Sequence, residues 1–219
     1  MVPADLKSLW RDESGSSMLE VTAVMTVFLL ILFGVIEFSF VFYQWNAATK
    51  AVQHGARMAA VSNPVANDLM TMTGVGGGVL PGAQMPAFDR ECTSNSASGA
   101  TGTCTGNNSY NADAMQRIVF GSTTRIQCDP STSTRDVGMC HLFERITPLN
   151  VKVRYQHNLT ELGYAGRPCG PVPTITVSLT GLSYTYIFLN GLTALASVNL
   201  PGFATTVTGE DMNISGGTC

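Results

Sequence analysis

From Val21 to Tyr43 the chain is an almost unbroken apolar run, with a single carboxylate, Glu37, inside it. About twenty such residues, rising ~1.5 Å each in a helix, cover the ~30 Å hydrocarbon core of a bilayer, so the run predicts a membrane-spanning helix. A removed secretory signal would be shorter and would end in a small-residue cleavage site on the far side. Here the run passes instead into Gln44 to Val61, which lacks proline and is rich in helix-forming alanine: Ala47, Ala48, Ala51, Ala56, Ala59 and Ala60. Asn63-Pro64 then supplies a stop. One continuous helix over 16–62 is expected, spanning the lipid bilayer over 21–43 and amphipathic beyond.

Within the second half, Ala47, Ala51, Gly55 and Ala59 recur at i, i+4 spacing and share one face. Small side chains let backbones approach closely, so this face is buried either against neighbouring helices or against the chain's own globular part. One acid, Glu20, stands directly before the apolar run, and a second, Glu37, lies towards its far end. An isolated carboxylate costs a few kcal/mol at the centre of a bilayer, on insertion scales of about 2.5–3.5 kcal/mol. Glu20 is therefore either solvated at the membrane boundary or paired with a cation. Glu37, about five helical turns further on, is either solvated near the opposite interface or bound to a partner.

The segment Gly15-Ser-Ser-Met-Leu-Glu20 follows a short polar, charged stretch and leads into the apolar run. It resembles a type IV prepilin processing site, which implies that a prepilin peptidase cuts after Gly15 and frees a chain starting at Ser16. Together with Leu30-Ile-Leu-Phe-Gly34-Val-Ile-Glu37-Phe, Ala47-Ala48 and Gly55-Ala56-Arg57-Met58-Ala59, it is similar to the TadE-like minor pseudopilins of the tight-adherence (Tad/Flp) pilus system. That resemblance covers roughly the first quarter of the chain; Val151-Lys-Val-Arg, Ile175-Thr-Val-Ser and Gly209-Glu210 match more loosely. It implies a non-enzymatic role in pilus assembly, with other pilins or pseudopilins and the inner-membrane assembly platform as partners. It also implies that Glu20 pairs with the Ser16 amine of an adjacent subunit, a salt bridge in low dielectric that would specify position along a fibre.

Charged residues make up only 12% of the chain and the net charge is −3, which gives no positive surplus for nucleic acid. All six cysteines, Cys92, Cys104, Cys128, Cys140, Cys169 and Cys219, follow the apolar run. An even number on one side of a membrane segment predicts disulfides in an oxidising compartment. Because Lys7 and Arg11 on one side compete with Lys50 and Arg57 on the other, the cysteines decide the topology. They put the C-terminal part in the periplasm, with residues 1–15 as a cytoplasmic leader: a single-pass protein of the bacterial inner membrane, surface-associated if it enters a pilus. Equal spacing favours Cys92–Cys104 and Cys128–Cys140, with Cys169–Cys219 spanning the C-terminal part.

Beyond Pro64, the Gly/Ser/Thr-rich stretch 65–112 reads as a loop-rich insertion held by Cys92 and Cys104. Asn111 to Phe120 has the apolar spacing of a short helix, Leu149 to Tyr155 and Thr174 to Phe188 alternate as antiparallel strands, Leu189 to Leu195 reads as a helical turn, and Gly202 to Thr208 as an edge strand. The expected fold is α+β: a long N-terminal pilin-like helix carrying a small, disulfide-stapled antiparallel sheet over 63–219.

Chemistry is weighed and set aside. Asp129-Pro-Ser131-Thr-Ser133 spells a D-x-S-x-S metal signature, but it lies in a polar stretch between cysteines and not at the end of a buried strand. His54, His141 and His157 have no ligand or triad spacing, and Asn107, Asn158 and Asn213 open sequons by pattern only. No metal, cofactor, small-molecule substrate or enzyme activity is expected. Two functions fit: a minor pseudopilin that primes, caps or decorates a filament, or a membrane-anchored adhesin or binding module that never enters one.

Overall fold

The computed structural model describes residues 16–106, 109–129, 136–159, 163–167, 170–187, 197–209 and 212. One helix, α1 (Ser16–Ala60), runs through the apolar stretch and the alanine-rich stretch without a break. It stops four residues before Pro64, whose ring disfavours helical geometry in the residue before it. Residue contacts divide the chain into two compact units that cut across this helix. The first combines 1–43 with 184–198, and the second combines 44–183 with 199–219.

The second unit is built on a five-stranded antiparallel sheet in the order β2-β1-β3-β4-β7. Its strands are β1 (Phe88–Ser94), β2 (Gly102–Cys104), β3 (Val151–His157), β4 (Thr174–Leu179) and β7 (Phe203–Thr208). Period-two alternation gives the sheet its two faces: Val151, Val153 and Tyr155 of β3, with Ile175, Val177 and Leu179 of β4, are buried. The intervening Lys152 and Arg154 lie on the other face, where Lys152 Nζ donates to Glu91 Oε1 at 2.9 Å and Arg154 Nε to Asp89 Oδ1 at 2.9 Å. The Arg154 guanidinium holds the Asp89 carboxyl below its ordinary range.

Against the inner face pack the second half of α1 and a short helix, α2 (Ala112–Phe120), in one core with Met139 and Phe143. Asn111 caps α2 by accepting a hydrogen bond from the Ala114 N–H at 3.2 Å, and Gly121 ends it at φ +81°. A side chain at Gly121 would run into the backbone of Asp136, so glycine is required there twice over. Met139–Leu142 forms a single turn, α3. Tyr155 is fully buried and its hydroxyl accepts from the Val65 N–H at 2.9 Å, which ties the chain after α1 to the central strand.

Residues 65–112 are mostly loop and turn and also supply β1, an interior strand of the sheet, and β2 at its edge. One expectation changes. The strand expected over 174–188 is interrupted, β4 ending at Leu179 and a separate β5 (Ser183–Thr185) pairing with β6 (Ser197–Asn199) in a two-stranded sheet. Gly181 at φ +72° makes the bend between β4 and β5. The helical turn expected at 189–195 lies outside the described residues.

Candidate functional site

Of the expected processing junction, Gly15 lies outside the described residues, Ser16 is the first residue of α1, and Glu20 is an exposed residue one turn later. From there the helix presents apolar side chains outward on nearly every side. Met18, Val24, Phe28, Ile31, Val35, Phe38 and Phe42 are all more than half exposed. The helix is long and apolar enough to cross a bilayer, and none of its most apolar window is buried inside the chain. An exposed apolar surface on this scale marks an interaction site.

One face of this half is covered. Phe33, Gly34 and Val41 are partly shielded, and Glu37 at their centre is only 1% exposed. Within the same unit, the Tyr184 hydroxyl donates to Glu37 Oε1 at 2.6 Å and the Ile187 backbone N–H donates to the same oxygen at 2.8 Å. In the structure Glu37 is shielded from solvent by the chain itself, through Tyr184 and Ile187. Sequence reasoning missed Tyr184 and Ile187, because pairings across 147 and 150 residues leave no local signal. Gly34, one turn before Glu37, has open space around the position of a β-carbon.

In the second unit the small-residue stripe lies against the chain's own domain. Ala51, Gly55 and Ala59 are buried and Ala47 is partly buried against the core. A β-carbon on Gly55 would meet the thioether of Met139, so the close approach that small residues permit is used within the chain. Trp45 packs edge-on against Phe203 at 4.9 Å on the same half of the helix.

Cys92 and Cys104 form a disulfide between the paired strands β1 and β2, and Cys128 and Cys140 form a second. Both have the expected pairing; Cys169 and Cys219 lie outside the described residues. Cys128, Cys140 and His141 are close enough to suggest a metal site, but the disulfide consumes both sulfurs. The His141 ring lies between the Gly138 N–H, which donates to Nδ1 at 3.0 Å, and the Asp129 carbonyl, 3.0 Å from Nε2. His54 Nε2 is 2.8 Å from the Val137 carbonyl, and buried His157 stacks on Phe88. These contacts place the three histidines apart in structural roles. Of the D-x-S-x-S motif only Asp129 is described; 130–135, like Asn107 and Asn213, are outside the described residues.

Comparison with known proteins places one likeness on this geometry. Residues 15–57 match the model of a family described as TadE-like protein. The match begins at Gly15, takes in the exposed apolar half of α1, and ends on the buried stripe. No curated protein and no solved structure matches the chain.

Proposed function

We propose, with the TadE-like helix as premise, that this chain is a minor pseudopilin of a Tad/Flp-type pilus. It enters the inner membrane through the first half of α1, is cut after Gly15 by a prepilin peptidase, and then primes, caps or decorates the filament. The observation that carries the reading is a coincidence of position: the family match over 15–57 falls on the helix that starts at Ser16, whose apolar half exposes most of its side chains. A surface of that kind is satisfied by lipid before assembly and by other pilin helices after it.

The burial of Ala51, Gly55 and Ala59 supports a division of labour along α1. The second half is committed to the sheet domain, which leaves the first half for partners. Glu20, exposed one turn after the new N-terminus, supplies the acid for an amine on a neighbouring subunit. Disulfides in the sheet domain favour a periplasmic location for it. The role is structural rather than enzymatic.

Mass spectrometry of the native protein from cells with and without the prepilin peptidase tests the first step. The mature chain is expected to begin at Ser16 and to depend on the peptidase. An N-terminus at Met1, or beyond the apolar run, would return the chain to the adhesin or binding-module reading or to a removed signal. For the second step, Glu20→Ala is expected to leave both disulfides formed while reducing recovery in sheared pili severalfold; undiminished recovery contradicts the pairing role.

A further inference from the structure

The covered face of the apolar helix half carries an occupant drawn from far along the sequence. Tyr184 is 2% exposed with its hydroxyl on Glu37, the Tyr186 ring packs edge-on against it at 5.4 Å, and Ile187 binds Glu37 through its N–H while its side chain is 63% exposed. Glu37 stands about 9 Å before Tyr43 along the axis, at ~1.5 Å per residue, so it lies inside the apolar span. A segment hydrogen-bonded to Glu37 is therefore held at the depth of that span.

The segment has the chemistry for such a position. Tyrosines with one apolar body and one polar tip are enriched where a membrane meets water. Ile187 projects an uncovered aliphatic side chain beside them, and the sequence from Tyr186 to Ser197 contains no charged residue. The two hydrogen bonds answer the polar demand of a carboxylate in lipid, which otherwise costs a few kcal/mol (about 2.5–3.5 on insertion scales).

We infer that Tyr184–Ile187 is a second membrane-contacting element, which enters the bilayer interface beside α1, in the leaflet nearest Tyr43, with Glu37 as its clasp. The inference rests on the reading that α1 crosses a bilayer. Its occupant is lipid because the segment is continuous, through Glu37, with the uncovered apolar surface of the helix.

The test uses the full-length chain in phospholipid nanodiscs with Trp10→Phe and Trp45→Phe, carrying one tryptophan by Phe28→Trp or Ile187→Trp. Lipids brominated at shallow or deep acyl positions report contact by quenching. The Phe28→Trp probe is expected to be quenched most by deep bromines and the Ile187→Trp probe by shallow ones. Quenching at Phe28→Trp with none at Ile187→Trp overturns the inference and leaves the spanning helix standing; no quenching at either removes both. The clasp is tested by adding Glu37→Ala or Glu37→Gln to the Ile187→Trp chain. Alanine is expected to weaken shallow quenching at least twofold, while glutamine, which keeps the accepting oxygen, preserves it. Quenching unchanged by alanine overturns the clasp. The Phe28→Trp probe with Glu37→Ala controls for insertion: its quenching is expected to persist, and its loss would overturn a local role for Glu37.

Discussion

Gly55 shows how one missing side chain can decide what a surface is for. Its bare backbone lies against Met139, a flexible thioether in the core. Gly55→Ala is expected to cost little, since the methionine can turn aside, whereas Gly55→Leu overpacks the site and should lower unfolding free energy by about 1–3 kcal/mol. Urea titration of the two variants checks this. Tyr155 makes a prediction about pH. Burial pushes its hydroxyl well above the ordinary value of ~10, so the folded state resists ionisation that the unfolded chain undergoes freely. The stability tied to the neutral hydroxyl is complete below about pH 10 and is lost as the pH rises beyond it. Tyr155→Phe should start lower, by about 1–3 kcal/mol for the abandoned Val65 N–H, and should fall less steeply between pH 9 and 11 in the same titration.

Among the elements, β1 and β2 depend most on a covalent link. They are joined through Cys92 and Cys104, and β2 contributes only three residues to pairing. Replacing both cysteines with alanine is expected to cost about 2–4 kcal/mol, read as a lower melting temperature under non-reducing conditions. This hairpin is also where the sequence was hardest to read. Phe88-Asp-Arg-Glu-Cys-Thr-Ser94 shows little apolar alternation, because its buried positions include a disulfide cysteine and Ser94 while its other positions pair with Lys152 and Arg154. By contrast α2 was legible from its spacing between Asn111 and Gly121, and β3 and β4 from clean alternation of β-branched residues with polar ones. The extent of α1 was legible too, but not which of two possible surfaces would cover its small-residue face. That depends on Met139, more than eighty residues away in the helix partner and chosen by tertiary packing.

For the whole molecule, the unit boundary at Tyr43 and Gln44 makes the amphipathic half of α1 part of the sheet domain's core. A chain starting at Gln44 is expected to remain folded in aqueous buffer without detergent, and one starting at Pro64, lacking Ala48, Ala51, Val52, Ala56 and Ala59, to lose cooperative thermal unfolding. Circular dichroism melts distinguish them, and a cooperative melt from the shorter chain would contradict the shared core. The polar side chains between Glu20 and Phe42 carry one more consequence. Thr22, Thr26 and Ser39 each return their hydroxyl to a carbonyl about one turn back, and Glu37 is closed on Tyr184 and Ile187. Hydroxyls spent in this way have no proton left to donate to a passing molecule, and Glu20 is the outward-facing charged group of this stretch. On the proposed reading as a pilus subunit, two copies sliding past each other in lipid would find only one height at which to lock, and the rise from subunit to subunit would be dictated at that one rung.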